Sequence, residues 1–170
     1  MTIPAISFVA KSGTGKTTLL EKVIALLTER GYRIGVIKHD AHRFNIDHPG
    51  KDSYRLTAAG AATTLITSGE KLALIKKHDA SPPLEDLLPR YFTDVDLVIT
   101  EGFKRGQLPK IEVHRAERSN ELLCRGTEDD PSLVAVASDV ALELDVPVLD
   151  LNNPAAVVDF IIERLLSSRD

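Results

Sequence analysis

The sequence contains no tryptophan, one methionine and a single cysteine, Cys124, and only 5% of its residues are aromatic. One cysteine forms no internal disulfide, so the fold must be held by burial. Scarce aromatics argue against a stacking platform for single-stranded nucleic acid. A net charge of −4 removes the general electrostatic case for nucleic-acid partners, whose binders carry a concentrated basic face. No apolar run is long enough to cross a bilayer, and no signal-peptide pattern is present. The expectation is a cytoplasmic protein with neither nucleic acid nor membrane as partner. What is present, 170 residues of which 43% are hydrophobic, suits one compact domain over residues 1–170 with a real core.

Ile3 to Val9 is a short apolar run without helical period that ends in a Gly-rich turn, the mark of a buried strand. From Thr17 to Arg30, Leu19, Leu20, Val23, Ile24, Leu26 and Leu27 recur at helical spacing, with Gly31 placed to end the helix. Arg33 to Ile37 follows as a second strand. Strand, turn, helix and strand in this order force a parallel pair with a right-handed crossover. Lys38 to Ser53 has little apolar period and predicts a long loop; a helix is expected over Asp52 to Ala59. Thr63 to Thr67 and Leu72 to Lys76 flank Ser68-Gly69-Glu70 as a hairpin. A helix to about Tyr91 and strands at Asp96–Thr100, Lys110–His114, Leu133–Ala137 and Val146–Leu149 come next. A last helix is capped by Asn153 with Pro154 at its first position. The pattern predicts a three-layer α/β fold, a mostly parallel sheet with helices on both faces and a β-hairpin insertion.

Ala10-Lys11-Ser12-Gly13-Thr14-Gly15-Lys16-Thr17 matches the phosphate-binding loop G-x-x-x-x-G-K-[ST] except at its first position. The chemistry needs small residues so that backbone N–H groups converge on phosphate oxygens at a helix amino end. Gly13 and Gly15 allow that approach, Lys16 reaches the β and γ phosphates, and Thr17 offers its hydroxyl to Mg2+. A Gly/Ser/Thr turn that merely links two elements is the competing explanation; the position between strand and amphipathic helix disfavours it. Lys11 stands where a subset of these proteins, with K-G-G-x-G-K-[ST], carry a lysine that reaches a nucleotide across a dimer interface. Ser12 departs from that pattern, and a solvated surface lysine is the alternative.

A hard, octahedral ion on the phosphates needs one or two carboxylates. Asp94, Asp96 and Glu101 compete; ligands sit at the carboxyl ends of parallel strands, so Glu101 is favoured over residues at the strand's start. Asp52 is a second metal candidate, on the loop after strand two, and equally a helix-opening aspartate that gains from the dipole. His39, Asp40, His42, Asp47 and His48 lie close together, but their spacing matches no closed transition-metal site. Contacts to phosphate, partner or solvent suit them better, and Lys38, ending strand two, is the better placed to meet a polyanion. Asp139 follows a late strand, where guanine-binding proteins use an aspartate to read base N1 and N2; the full Asn-Lys-x-Asp pattern is absent, and capping the next turn is the alternative.

With the loop taken from Ser12 through Thr18 and Leu19, and with Val36-Ile37-Lys38-His39-Asp40, Pro49-Gly50-Lys51-Asp52-Ser53-Tyr54, Asp96 to Lys104 and Val134 to Asp139, the chain resembles the MobB family over nearly its whole length. The Lys-His, Gly-Lys-Asp-Ser and Glu-Gly-Phe-Lys segments carry the specificity; the loop alone says only nucleotide. The clearest variation is Lys11, where an aromatic residue is common. The resemblance implies a homodimeric protein that binds GTP and Mg2+ through residues 11–18, with at most weak GTPase activity. It implies assistance to a MobA-type molybdenum cofactor guanylyltransferase. Two other classes compete: an ATP-dependent ligase or kinase resembling dethiobiotin synthetase, and a nickel metallochaperone GTPase, for which a clearer Cys- or His-rich metal segment would be expected.

Overall fold

The structure, a computed structural model, describes residues 3–39 and 44–167. Cα packing divides the chain into two compact units, Met1–His39 with Leu87–Asp170, and Asp40–Asp86. The elements run β1 (Ala5–Ala10), α1 (Lys16–Glu29), β2 (Ile34–Lys38), α2 (Asp52–Ala58), β3 (Thr63–Thr67), β4 (Leu72–Lys76) and α3 (Leu84–Tyr91). They continue with β5 (Leu97–Glu101), β6 (Lys110–His114), β7 (Leu133–Ser138), β8 (Val148–Asp150), α4 (Pro154–Ile161) and a π-helical turn at Ile162–Leu166. Among the described residues no helix is long and apolar enough to cross a membrane.

The first unit is built on a six-stranded sheet of order β2-β5-β1-β6-β7-β8. Every pairing in it is parallel. β1 is buried at all its positions, as a strand covered on both faces must be. Its residues Ile6, Phe8 and Ala10 pack with Leu19, Val23 and Leu27 of α1 and with Val157, Val158 and Ile161 of α4. Arg30 at the end of α1 reaches Asp159 of α4 at 2.6 Å. Asn153 caps α4 as expected, its side chain accepting from the Ala156 amide at 3.3 Å.

The other face is covered differently. Val9, Cys124, Leu133 and Val136 form a second cluster with Leu122, Leu123, Leu142 and Leu144 from irregular segments. Irregular backbone laid over a sheet brings polar groups that must find partners, and β6 supplies them. Ile111 and Val113 join the α1 side. The alternate residues, Lys110, Glu112 and His114, are also buried. Lys110 Nζ donates to Gly106 O at 2.6 Å, Asp130 Oδ2 at 2.5 Å and Ser132 Oγ at 2.8 Å. Glu112 accepts from the Leu123 amide at 2.6 Å and the Cys124 amide at 2.9 Å. His114 Nε2 lies 2.9 Å from the Ser119 carbonyl, which can only accept, so Nε2 carries a proton; Nδ1 meets Ser138 Oγ at 3.1 Å. Burial, with the nearby charges of Glu112 and Asp130, pushes the Cys124 thiol up to about 12. It is a core residue.

Burial works against the charge on Asp130, but hydrogen bonds from Lys110 and from the Ser132 hydroxyl and amide prevail and hold its carboxyl at about 2. An unfolded aspartate titrates near pH 3.9. A depressed folded value stabilises the native state above the unfolded pKa, and that contribution is lost as pH falls from about 4 through about 2. Asp130→Asn is therefore expected to cost about 2 kcal/mol at pH 7. Urea melts should show the difference from wild type shrinking as pH drops from 5 to 2; a difference independent of pH would contradict the assignment.

The second unit holds α2 and the antiparallel β3–β4 hairpin in the expected place, Thr63 opposite Lys76 and Thr67 opposite Leu72. Ser68 organises its turn, Oγ accepting from the Lys71 amide at 3.2 Å. Thr57 of α2 and Thr64 of β3 share a hydroxyl bond of 2.7 Å. None of the described residues from 44 to 86 is buried.

Candidate nucleotide-binding site

β1 delivers the chain to the carboxyl edge of the sheet, where ligands of parallel α/β proteins bind. Gly13 and Gly15 turn the loop there with φ of 78° and 84°, the left-handed region that only glycine enters cheaply. Gly15 is the N-cap of α1, with no side-chain cap and no acidic residue in the first turn. The first amides of the helix therefore face outward for an acceptor, the condition for anion binding. Thr14 Oγ1 donates to the Lys11 carbonyl at 3.3 Å and closes the loop on itself.

The cavity enclosed here measures about 410 Å3 and is lined by residues 9–18 together with His39, Glu101, Gly102 and Lys104. Ser12, Gly13, Thr14, Gly15, Lys16, Thr17 and Thr18 are thus gathered as the motif required. Glu101, last residue of β5, meets them; its carboxylate pairs directly with the Lys16 ammonium, both largely shielded from solvent. A carboxylate and the Thr17 hydroxyl on one small polar cavity are hard oxygen donors of the kind Mg2+ takes, and Lys16 supplies the phosphate counter-charge. Asp94 and Asp96 lie at the other end of β5 and serve Arg33, through its side chain at 2.6 Å and its amide at 2.8 Å.

Lys11 points elsewhere: its ammonium donates to Ser119 Oγ at 2.6 Å, with Glu121 at 3.9 Å. Lys38 is the last residue of β2, paired in register with Glu101, yet the cavity wall begins at the next residue. His39 donates its amide to Glu101 O at 2.9 Å and stacks its ring 4.7 Å from that of Phe103. Asp52 begins α2 in the second unit, where its carboxylate meets Arg55 at 3.3 Å. His42 and Asp40 lie outside the described residues. Among those described, no group of three or more His, Cys, Asp or Glu is placed to hold a metal ion.

Asp139 follows β7 at the same edge, on a cavity of about 390 Å3 that also includes Ser138, Leu149, Asp150 and Asn152. Its Oδ1 accepts from the Ala116 amide at 2.9 Å, and its Oδ2 lies 3.6 Å from Arg115. Arg115 and Arg118, in the segment after β6, are site residues that motif reading passed over. Arg115 Nε donates to Thr14 O at 3.2 Å, and the Arg118 side chain lies 3.7 Å from the position of a Cβ on Gly13. The available signal was positional: basic residues just after a parallel strand's carboxyl end.

A family model described as molybdopterin guanine dinucleotide synthesis protein B matches residues 5–139, from the first residue of β1 to Asp139. The chain belongs to the MobB family. It is 44% identical over 167 residues to the molybdopterin-guanine dinucleotide biosynthesis adapter protein of Escherichia coli K12, covering 95% of this chain and 93% of that one. The corresponding adapter protein of Haemophilus influenzae is 40% identical over 160 residues, covering 94% and 88%. Among solved structures, one described as molybdopterin-guanine biosynthesis protein B (mobB) superposes with a TM-score of 0.72 at 28% identity, over 94% of this chain and 98% of that chain. Bacillus subtilis MobB superposes with a TM-score of 0.76 at 25% identity, over 98% and 100%. The mostly parallel α/β phosphate-loop architecture read from the sequence is the architecture of the MobB family.

Proposed function

We propose that this MobB-family chain is an adapter in molybdopterin guanine dinucleotide biosynthesis, holding GTP with Mg2+ and assisting a MobA-type guanylyltransferase. The observation that carries the reading is that the family match spans every residue of the phosphate cavity, Glu101 included, and runs on to Asp139. Lys16 and the α1 amides take the phosphates, Thr17 and Glu101 the metal, and Asp139 the guanine edge. Glu101, the carboxylate of the cavity, is committed to Lys16 and to the metal; turnover is slow at most, and the chain presents nucleotide to a partner enzyme in the cytoplasm.

The assembly we propose is a homodimer. Support comes from the second unit, where Leu65, Leu72 and Leu74 share one face of the hairpin and are all exposed, and no described residue is buried. A two-stranded hairpin with no core of its own is marginal in water, and an apolar face of this kind calls for a covering surface.

The test is reconstitution of product formation from the guanylyltransferase, molybdenum cofactor and GTP. Addition of this chain is expected to raise the yield of the guanine dinucleotide. An unchanged yield with the wild-type protein would overturn the adapter role, whereas tight GTP binding in the same preparation would leave the nucleotide site standing.

A further inference from the structure

We propose that Arg115 is a positioning residue that couples the phosphate loop to the base-reading side of the site, fixing in one side chain the Thr14–Gly15 peptide and the Asp139 carboxylate. The proposal rests on the GTP reading above and deepens it.

The phosphate-loop end comes first. A trans peptide is planar and points its C=O and N–H in opposite directions. The Thr14–Gly15 peptide leads into a glycine at φ 84°, and glycine visits both signs of φ readily, so this peptide can flip at small cost. Arg115 Nε holds the Thr14 carbonyl at 3.2 Å, on the side of the β6 loop. The Gly15 amide is thereby turned the other way, away from Arg115. With the guanidinium in place Thr14 is buried. Arg115 Nη2 lies 3.5 Å from the place a Gly15 Cβ would occupy, so the side chain also packs along the loop at its most conformationally permissive residue.

The base end is held by the same segment. Arg115 Nη1 lies 3.6 Å from Asp139 Oδ2, and the next residue's amide, Ala116, donates to Asp139 Oδ1 at 2.9 Å. A carboxylate has about four lone-pair positions, so two remain for a ligand's donors while these contacts persist. Arg115 cannot wander, because His114 before it is buried and tied to both Ser138 and the Ser119 carbonyl. Ser138 is itself the neighbour of Asp139. The ends of β6 and β7 are thus zipped together, and the Arg115 guanidinium that extends from the zip ends on the phosphate loop. The Asn-Lys-x-Asp pattern is absent before Asp139, and Arg115, just after β6, is the side chain that meets both parts.

The experiment is calorimetric titration of the full chain with Mg2+-GTP, Mg2+-ITP, which lacks the guanine 2-amino group, and inorganic tripolyphosphate, which lacks a base. Arg115→Ala, Arg115→Lys, Asp139→Asn and the Arg115→Ala/Asp139→Asn pair are compared. Asp139→Asn should lower GTP affinity and the GTP-over-ITP ratio while leaving tripolyphosphate unchanged. Arg115→Ala should weaken tripolyphosphate about tenfold, the share of one charge-assisted bond, and reduce the GTP-over-ITP ratio as well. The pair should lose less than the product of the two single losses, the mark of coupled sites. Arg115→Lys keeps the charge but cannot fork to both partners, so it should recover tripolyphosphate binding without recovering the GTP-over-ITP ratio. This variant also decides the matter if the alanine variant fails to fold. Full recovery by lysine would reduce Arg115 to a general charge, and wild-type ratios in the alanine variant would overturn the proposal. A wild-type protein indifferent between GTP and ITP would defeat the guanine reading instead; tripolyphosphate affinity unchanged in Arg115→Ala would then overturn the phosphate-loop half.

Discussion

Replacing Lys16 with alanine is expected to weaken Mg2+-GTP binding by about 100-fold or more, because two effects act in the same direction. The ammonium is the cavity's charged donor to phosphate, and it is also the partner of Glu101. Without it, Glu101 stands shielded from solvent and unneutralised beside the incoming triphosphate. The companion variant separates the two effects. Glu101→Gln removes the carboxylate that competes with phosphate for Lys16, so GTP should bind more tightly than to wild type when Mg2+ is absent, by several-fold. The same variant should lose most of the gain that Mg2+ confers on wild type, since an amide is a poor ligand for this ion beside a carboxylate. Calorimetry with and without EDTA reads both. A Lys16→Ala protein within threefold of wild type would refute the site's design.

Glu112→Leu is the second large expectation, about 4 kcal/mol of lost stability and a melting temperature lower by about 10 °C. Leucine is apolar and of broadly similar bulk and the position is buried, so a purely apolar account of the core would expect little loss. Glu112 is instead the acceptor for two successive loop amides, at 2.6 and 2.9 Å, in a segment with no helix or strand to receive them. Leucine leaves both donors buried without a partner. Glu112→Gln keeps one good acceptor and should lose about half as much. Urea denaturation checks the order; a leucine variant as stable as wild type would show that water reaches these amides.

The same strand marks where sequence reading stopped short. Lys110-Ile111-Glu112-Val113-His114 alternates polar with apolar, and it was correctly read as a strand, yet His114 offered no informative neighbours in sequence. Its partners, Ser119 and Ser138, come from a loop and a distant strand, and nothing in a linear pattern distinguishes a polar face turned to water from one turned to an irregular segment. Motifs whose chemistry is local fared better. The loop at 10–17, Glu101 at a strand's carboxyl end and the Asn153 cap were all legible because each is defined within a few residues of itself. Lys38 ends the second strand, as its place in the sequence suggests, but the cavity takes its wall from the residue after it: His39, not Lys38, lines the phosphate site. Arg115 and Arg118 belong to no motif. They reach the phosphate loop only because β6 lies beside β1, an adjacency that strand order supplies and sequence does not.

That adjacency also dictates an order of assembly. β1 is made before both of its neighbours: β5 can close one of its hydrogen-bonding edges once Glu101 has been made, but the other stays open until Lys110 and the residues after it follow. A chain arrested before β6 carries the whole phosphate-loop motif and still exposes a row of unpaired amides and carbonyls on an apolar strand, which is a template for aggregation. Nucleotide can therefore contribute little to folding until β5 has joined β1, because Glu101 and the rest of the cavity's far wall, as far as Lys104, are made long after the loop.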